Sequence, residues 1–169
     1  DAAAGLPPKA NLRRFIAEGA DLVAYSGGKA IGGPQASGIL AGRADLVRSA
    51  SLQQLDMDVD VRTWRYGALV RDGSLRGVPH HGIGRPTKVG KETIVGLMAA
   101  LRRYVARDED AEIARQIGIL ERIAARFEQD GLPAGASLTL RRPPIDGRVM
   151  YPVLHLDLGG SAAADRAAA

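Results

Sequence analysis

The stretch YSGGKAIGGPQ, residues 25–35, organises the interpretation of the whole chain. Its single lysine, Lys29, lies between two glycine pairs and follows an apolar run at residues 22–25 that predicts a buried strand. Glycine lets a backbone approach a ligand closely and adopt positive φ without a steric cost. A lysine in such a loop, at the end of a buried strand, is therefore predicted to be a reactive amine that forms a Schiff base.

The alternative is a solvated lysine in a glycine-rich turn, and a solvated amine is almost entirely protonated at neutral pH. Burial and neighbouring positive charge lower a lysine pKa, and pyridoxal phosphate captures the neutral amine. Ser26 and the loop N–H groups suit the cofactor phosphate, and Asp1 is a candidate partner for its ring nitrogen. Ser-Gly-Gly-Lys alone is a weak motif, so the spacing leaves both interpretations open.

Bulk composition predicts one ordinary globular domain with a small appendage. The chain has 169 residues, of which 46% are hydrophobic and 25% charged. It has no cysteine, which excludes a disulfide scaffold, a thiolate zinc site and a cysteine nucleophile. It has neither an apolar run of about 18 residues nor a signal segment, so we expect a soluble, cytoplasmic protein without a membrane partner.

Charge and histidine patterns point to no strong additional site. The net charge is +4, and the arginines are scattered through the predicted helices, so a concentrated nucleic-acid stripe is not expected. An anionic substrate, or a tRNA held by backbone charge alone, stays open. His80 and His81 form a candidate proton shuttle, but exposure without a role is favoured. The spacing of the His, Asp and Glu residues predicts no metal site.

Apolar periodicity and Gly/Pro punctuation predict the order of the elements. A short helix presents Leu12, Phe15 and Ile16 and ends at Gly19; strands at 21–25 and 36–41 flank the lysine loop; and a helix spans 44–53. Residues 54–90 form a long, ordered connector with strand-like pieces such as 68–70. Two strong helices follow, with these apolar stripes: Ile94, Leu97, Met98, Leu101 and Val105, then Ile113, Ile117, Leu120, Ala124 and Phe127. Strands at 137–140 and 149–158 come last, with His155 on a half-buried strand.

Both ends of the sequence are rich in alanine, and the chain opens on Asp1. The last residues resemble the first turn of a helix. These features predict a fragment of a longer chain.

Residues 21–29, DLVAYSGGK, and 32–43, GGPQASGILAGR, resemble the cofactor-lysine segment of fold-type-I pyridoxal-phosphate enzymes. Within that superfamily they resemble the selenocysteine synthase (L-seryl-tRNA selenium transferase) family, on the branch that includes D-glucosaminate-6-phosphate ammonia-lyase. Residues 1–8, DAAAGLPP, and 84–92, GRPTKVGKE, carry the same resemblance. Together these stretches are specific for the family but not for its reaction.

The resemblance implies a role for several residues. Lys29 would be the aldimine lysine, Asp1 the pyridinium partner and Ser26 a contact to the cofactor phosphate. Selenocysteine synthases usually carry an acidic residue before the lysine, where this chain has Gly28, so the resemblance disfavours tRNA as the substrate. Arg85, held by Pro86 and neighbouring glycines, is a candidate site for a substrate carboxylate or phosphate, against the alternative of a solvated helix start. The family also implies a homo-oligomer.

The sequence as a whole therefore predicts the C-terminal part of a fold-type-I enzyme of class α/β. Residues 1–90 would end the cofactor-binding large domain and its connector, and residues 91–169 would form an α+β small domain. The predicted reaction is a pyridoxal 5'-phosphate-dependent elimination on an amino acid or amino-sugar acid, with Lys29 as the general base. The alternatives are a selenium transferase acting on seryl-tRNA and a non-catalytic fragment.

Overall fold

The computed structural model describes residues 1–55, 59–147 and 149–159. The chain divides into two compact units. The first comprises Asp1–Gly5 and Leu12–Tyr104, and the second comprises Leu6–Asn11 and the described residues from Val105 onward. Helices and strands are mixed along the chain, as the predicted α/β class requires. In the described part of the chain, no helix is both long and apolar enough to cross a membrane.

Helix α1, Asn11–Ala17, confirms the predicted short helix that ends before Gly19. The Asn11 amide donates to the Pro8 carbonyl at 3.0 Å, which starts the first turn. Gly19 has a φ of 104°, and the Ala20 amide beyond it donates to the Phe15 carbonyl at 3.0 Å. A glycine in this conformation is a common helix terminator because a side chain there would be strained.

Strands β1, Leu22–Ser26, and β2, Gly38–Gly42, form an antiparallel pair, which confirms both predicted strands around the lysine. The register pairs Leu22 with Gly42 and Ser26 with Gly38. Burial of β1 was only partly predicted: Val23 and Tyr25 are buried, whereas Leu22 and Ala24 are exposed. Successive side chains of a strand point to opposite faces, and only one face of this pair is covered.

Helix α2, Ala44–Gln53, has the predicted bounds. The strand-like piece predicted at residues 68–70 is wrong, because these residues form the short helix α3, Ala68–Arg71. Gly67 already has helical angles, φ −57° and ψ −23°, and its carbonyl accepts a bond from the Arg71 amide at 3.2 Å. The local turn therefore overrides the β preference of a short apolar run.

Helix α4, Lys91–Ala106, is confirmed, but its buried face differs from the predicted stripe. Ala100 and Tyr104 are 9% and 3% exposed, whereas Ile94 and Met98 are 46% and 50% exposed. The buried face lies against the lysine loop. A Cβ added at Gly96 would lie 2.9 Å from Pro34 Cγ, so the missing side chain in mid-helix allows this close approach.

Replacement of Gly96 with alanine is expected to lower the free energy of unfolding by about 1 kcal/mol, because the new methyl group overlaps Pro34. The matched control is Gly118→Ala in helix α5, Glu109–Asp130, where the new Cβ meets only Arg122 Nη1 at 3.7 Å. That change should instead stabilise the protein by about 1 kcal/mol, the usual gain on replacing a helical glycine. Urea unfolding measures the change in the free energy of unfolding for both variants. Stabilisation of both would contradict the packing of α4 on the loop.

The second unit combines α5 with the antiparallel strands β3, Ser137–Arg141, and β4, Val153–Asp157. The Asp108 side chain caps α5 by accepting from the Ala111 amide at 3.1 Å. Hydrogen bonds from Arg115 and Gln116 lower the pKa of Glu112, in the first turn, to about 2. His155, predicted on a half-buried strand, is exposed on β4.

Lys9 links the segment Leu6–Asn11 to the junction between α4 and α5. Its ammonium donates to the Val105 carbonyl at 3.0 Å and to the Arg107 carbonyl at 2.6 Å. Its backbone amide donates to Glu109 Oε1 at 2.7 Å. A cation at the C-terminal end of a helix satisfies carbonyls that have no partner within the helix and interacts favourably with the helix dipole.

Candidate active site

The lysine loop, residues 27–37, joins β1 to β2 and is closed at its base by backbone hydrogen bonds. The Gly27 amide donates to the Ser37 carbonyl at 2.8 Å, and the Gly33 amide donates to the Gly27 carbonyl at 2.8 Å. The Ser37 hydroxyl donates to the Pro34 carbonyl within the same loop. The loop is therefore ordered by its own main chain, which suits a site that must hold one geometry.

Lys29 lies in the first turn of this loop. The Gly32 amide donates to the Lys29 carbonyl at 2.8 Å, which fixes the backbone of the turn. Two residues after the lysine, Ile31 is only 2% exposed and anchors the turn in the core. The Lys29 side chain is exposed. The structure thus presents a primary amine to solvent from a fixed backbone, rather than burying it as the strand pattern suggested.

The glycines before the lysine are required by close packing. A Cβ at Gly27 would lie 2.7 Å from Leu97 Cδ1, so α4 closes directly onto this residue. A Cβ at Gly28 would lie 2.7 Å from Gln35 Cα. Real Cβ contacts are not this short, so an acidic side chain at position 28 would have to displace Gln35.

Ser26 and Asp1 both lie along β1, the strand that leads to Lys29. Ser26 is the last residue of the strand and is half-buried. The Ala2 amide donates to the Ala24 carbonyl at 2.9 Å, which brings the Asp1 segment alongside β1. The Asp1 carboxylate accepts a bond from the Ala3 amide at 2.8 Å.

Asp1 also borders an open pocket of about 450 Å³, the remaining lining residues being Ala2, Ala4, Gly5, Phe15, Ala20 and Val23. The carboxylate is exposed and is the only charged group in this lining. The pocket therefore offers a ligand one negatively charged hydrogen-bond acceptor among apolar groups.

Tyr25 fixes the buried face of β1 below the loop. Its ring lies 6.5 Å from the Phe15 ring, between centroids, and Tyr25 is 4% exposed. Burial raises the pKa of the Tyr25 hydroxyl. Because Tyr25 and Ser26 point to opposite faces of the strand, this contact holds Ser26 on the open face.

Arg85 lies in a different part of the first unit, in a 3₁₀ turn, Arg85–Thr87. The preceding glycines attach this turn to the end of α2: the Gly82 amide donates to Leu55 at 3.1 Å and the Gly84 amide to Gln53 at 2.9 Å. Arg85 itself is exposed on a fixed backbone. These backbone bonds lead to α2, not to the lysine loop.

His80 and His81 are exposed in the same connector. Within residues 1–55, 59–147 and 149–159, no group of three His, Cys, Asp or Glu side chains is arranged to hold a metal ion. The sequence-predicted amine, hydroxyl and carboxylate lie along β1 and the lysine loop, and the pocket beside Asp1 is lined by neither Ser26 nor Lys29.

Sequence reasoning missed the contribution of α4 to the site. Leu97, Gly96 and Ala100 contact the loop through Gly27, Pro34 and Gly33 respectively. The available signal was Gly96 itself, since a glycine inside a strongly apolar helix costs about 1 kcal/mol and usually has a packing reason.

Comparison with known proteins places these features in context. Residues 2–70 match the family model described as L-seryl-tRNA selenium transferase. A 5'-C-glycyluridine monooxygenase-decarboxylase from a Streptomyces species is 37% identical over 85% of this chain and 28% of its own length. D-glucosaminate-6-phosphate ammonia lyase from Salmonella typhimurium is 32% identical over 71% of this chain and 27% of its own length.

An L-seryl-tRNA(Sec) selenium transferase from Solidesulfovibrio magneticus is 34% identical over 69% of this chain and 18% of its own length. The chain thus spans little more than a quarter of the length of these curated relatives, or less. Their names describe three different reactions, so the part they share with this chain does not by itself specify one.

Proposed function

This chain belongs to the family of L-seryl-tRNA selenium transferase and its relatives, and from that premise we propose that it carries the lysine of a pyridoxal-phosphate-dependent lyase. The proposed reaction is an elimination on an amino acid or amino-sugar acid. The observation that carries the proposal is the exposed Lys29 amine on a loop whose backbone is fixed by hydrogen bonds.

The residues near β1 suit the three parts of the cofactor. Lys29 supplies an amine for its aldehyde, Ser26 a hydroxyl for its phosphate, and Asp1 a carboxylate for its ring nitrogen. Gly28 has no side chain to cover its main-chain N–H, as phosphate binding needs, whereas the Gly27 N–H is already used by the Ser37 carbonyl. When bound, pyridoxal phosphate supplies a carbonyl that takes up an amine and a ring that withdraws electrons from the substrate α-carbon.

Lys29 has two tasks in this proposal. Its Nζ would hold the cofactor before the substrate arrives. Once released, the amine would take the proton from the substrate α-carbon as a general base. The side chain is long and exposed, whereas its backbone is anchored by Ile31 and the Gly32 bond. The amine can therefore move between two positions without any movement of the loop.

Asp1 and Ser26 act as positioning groups. The Asp1 carboxylate would keep the ring nitrogen of bound pyridoxal phosphate protonated, which would preserve the electron withdrawal that the reaction needs. The Ser26 hydroxyl would donate to a phosphate oxygen, and a charge-assisted bond of this kind is stronger than a neutral one. A β-substituent then leaves the substrate, and hydrolysis of the resulting enamine gives a 2-keto product and ammonia.

Selenium transfer to seryl-tRNA is the second candidate, favoured by the description of the family model over residues 2–70. Gly28 argues against it, because an acidic side chain at this position would displace Gln35. We further propose the fold-type-I architecture, the large- and small-domain division near residue 90, and a homo-oligomer. A non-catalytic role is the outcome if the cofactor does not bind.

The test is reconstitution of the purified protein with pyridoxal phosphate. We expect a new absorbance band near the visible edge, and borohydride reduction should leave the pyridoxyl group on the peptide that contains Lys29. Release of ammonia and a keto acid from amino acids with a β leaving group then supports the lyase. Retention of seryl-tRNA at physiological salt with no such release would favour the transferase.

Arg85→Met is expected to raise KM for a carboxylate- or phosphate-bearing substrate about tenfold or more while leaving kcat within about twofold, because a charged hydrogen bond of about 1.5–3 kcal/mol is lost. Steady-state kinetics of the reconstituted protein measure both constants. Arg76→Met, which removes another exposed arginine of the same connector, is the matched control. Equal KM values in the two variants would remove Arg85 from the substrate site.

A further inference from the structure

The connector, residues 54–90, carries six basic and four acidic residues, a net charge of +2. All six basic residues are exposed: Arg62, Arg65, Arg71, Arg76, Arg85 and Lys88. Exposed cations of this kind attract anions.

An open pocket of about 380 Å³ lies between the connector and the end of α2. Its lining is mainly apolar, with three hydroxyl-bearing residues and one charged side chain among the described residues: Ser51, Leu55, Val59, Thr63, Trp64, Arg65 and Tyr66. A volume near the lower end of small-molecule sites suits a single ring system. Among the described lining residues the one charged side chain is that of Arg65, which favours a ligand that is anionic as well as apolar.

The aromatic residues and the arginine of this pocket are held together. The Trp64 and Tyr66 rings meet edge to face, with centroids 5.7 Å apart and planes at 85°. The Arg65 guanidinium carbon lies 5.3 Å from the Tyr66 ring centroid. A guanidinium that packs one face on an aromatic ring still has free N–H donors at its edge for a phosphate. Because the ring already restricts the arginine side chain, that side chain loses less conformational freedom when a ligand binds.

The backbone around these residues is fixed as well. The Gly67 amide donates to the Trp64 carbonyl at 2.9 Å, and the Thr63 amide donates to the Asp60 carbonyl at 3.0 Å. The Asp60 carboxylate is also paired with Arg62, and neither residue lines the pocket.

We infer that this pocket binds a planar aromatic ring that carries a phosphate group, the chemistry of a mononucleotide. Trp64 and Tyr66 provide apolar surface for the ring, Ser51 and Thr63 hydroxyls for its polar edge, and Arg65 a charged donor for the phosphate. The lining shares no residue with the lysine loop, so this site does not depend on the function proposed for Lys29.

The probe is built into the chain, because Trp64 is its single tryptophan. Uridine and adenosine 5'-monophosphate are titrated against the intrinsic fluorescence of the purified protein. We expect a saturable change with at least one nucleotide. The corresponding nucleoside should bind about tenfold or more weakly, because it lacks the charged group that Arg65 recognises. Inorganic phosphate alone should cause no saturable change.

Variants separate this pocket from the rest of the molecule. Arg65→Met should weaken nucleotide binding about tenfold or more, and Tyr66→Leu should weaken it through loss of the ring. Arg62→Met removes an adjacent arginine outside the lining and should leave binding unchanged, as should Lys29→Ala. Circular dichroism of each variant checks that it is folded.

Three results would overturn the inference. The first is the absence of a saturable change with either nucleotide. The second is equal affinity of a folded Arg65→Met variant and the unaltered protein. The third is a nucleotide response that disappears in Lys29→Ala, which would assign the signal to the lysine loop instead.

Discussion

Lys29→Ala is expected to abolish covalent capture of pyridoxal phosphate, together with any activity that depends on it, a loss of at least about a thousandfold in rate. Lys29 carries the only primary amine of the lysine loop, residues 27–37, and a primary amine is what forms a Schiff base with an aldehyde. Its side chain is exposed, and the Gly32 hydrogen bond uses the Lys29 backbone carbonyl. Alanine should therefore remove the chemistry without disturbing the turn.

The measurement is the cofactor absorbance band, followed by borohydride reduction and peptide mass analysis. Lys88→Ala is the matched control, because Lys88 is also an exposed lysine of the first unit. It should retain both the absorbance band and the modified peptide. If Lys29→Ala kept the band, or if the pyridoxyl group were found on another lysine, the assignment of Lys29 would be wrong.

Gly42→Ala is expected to lower the free energy of unfolding by roughly 2–5 kcal/mol, the largest stability effect predicted for this chain. Gly42 ends β2 with a φ of 144°, opposite Leu22 in the register. An added Cβ would lie 2.1 Å from the Asp21 carbonyl oxygen and 2.9 Å from Leu22 Cα. Both neighbours are backbone atoms, so neither can move aside by rotating a side chain.

Gly32→Ala is the control for backbone strain alone. Gly32 has a φ of 72°, and an added Cβ there meets no atom within 4 Å. This change should cost only about 1 kcal/mol, the penalty of a left-handed conformation for an ordinary residue. Urea unfolding measures the difference. Equal costs for the two variants would show that the paired strands tolerate the extra group, contrary to the register described.

The elements around the lysine could be predicted because glycine and apolar runs mark their ends. Gly19 terminates α1, and the apolar residues of β1 and β2 enclose a segment too rich in glycine to be either helix or strand. Ala68–Arg71 was misjudged because a run of only a few apolar residues fits a strand and a helix equally well. In that case the hydrogen bond from Arg71 to Gly67 decides.

The buried face of α4 could not be read from periodicity alone. Residues 94, 98 and 105 recur at helical spacing as clearly as residues 100 and 104, and hydrophobicity alone favours the first set. The structure buries Ala100 and Tyr104 instead, because Gly96 and Ala100 let the helix approach the loop. The pocket at Trp64 was missed for a similar reason, since its lining comes from α2 and the connector and is not continuous in sequence.

The partners of Lys9 lie 96 to 100 residues further along the chain, and this separation bears on how the protein is made. When Lys9 leaves the ribosome, Val105, Arg107 and Glu109 have not yet been synthesised. At typical rates of about 5–20 residues per second, the wait is roughly 5–20 seconds. The intervening segment, Leu12–Tyr104, belongs to the other compact unit and can collapse during that time. The nascent chain would therefore complete an inserted unit first, and the segment Leu6–Asn11 would join its own unit only after translation has passed the α4–α5 junction.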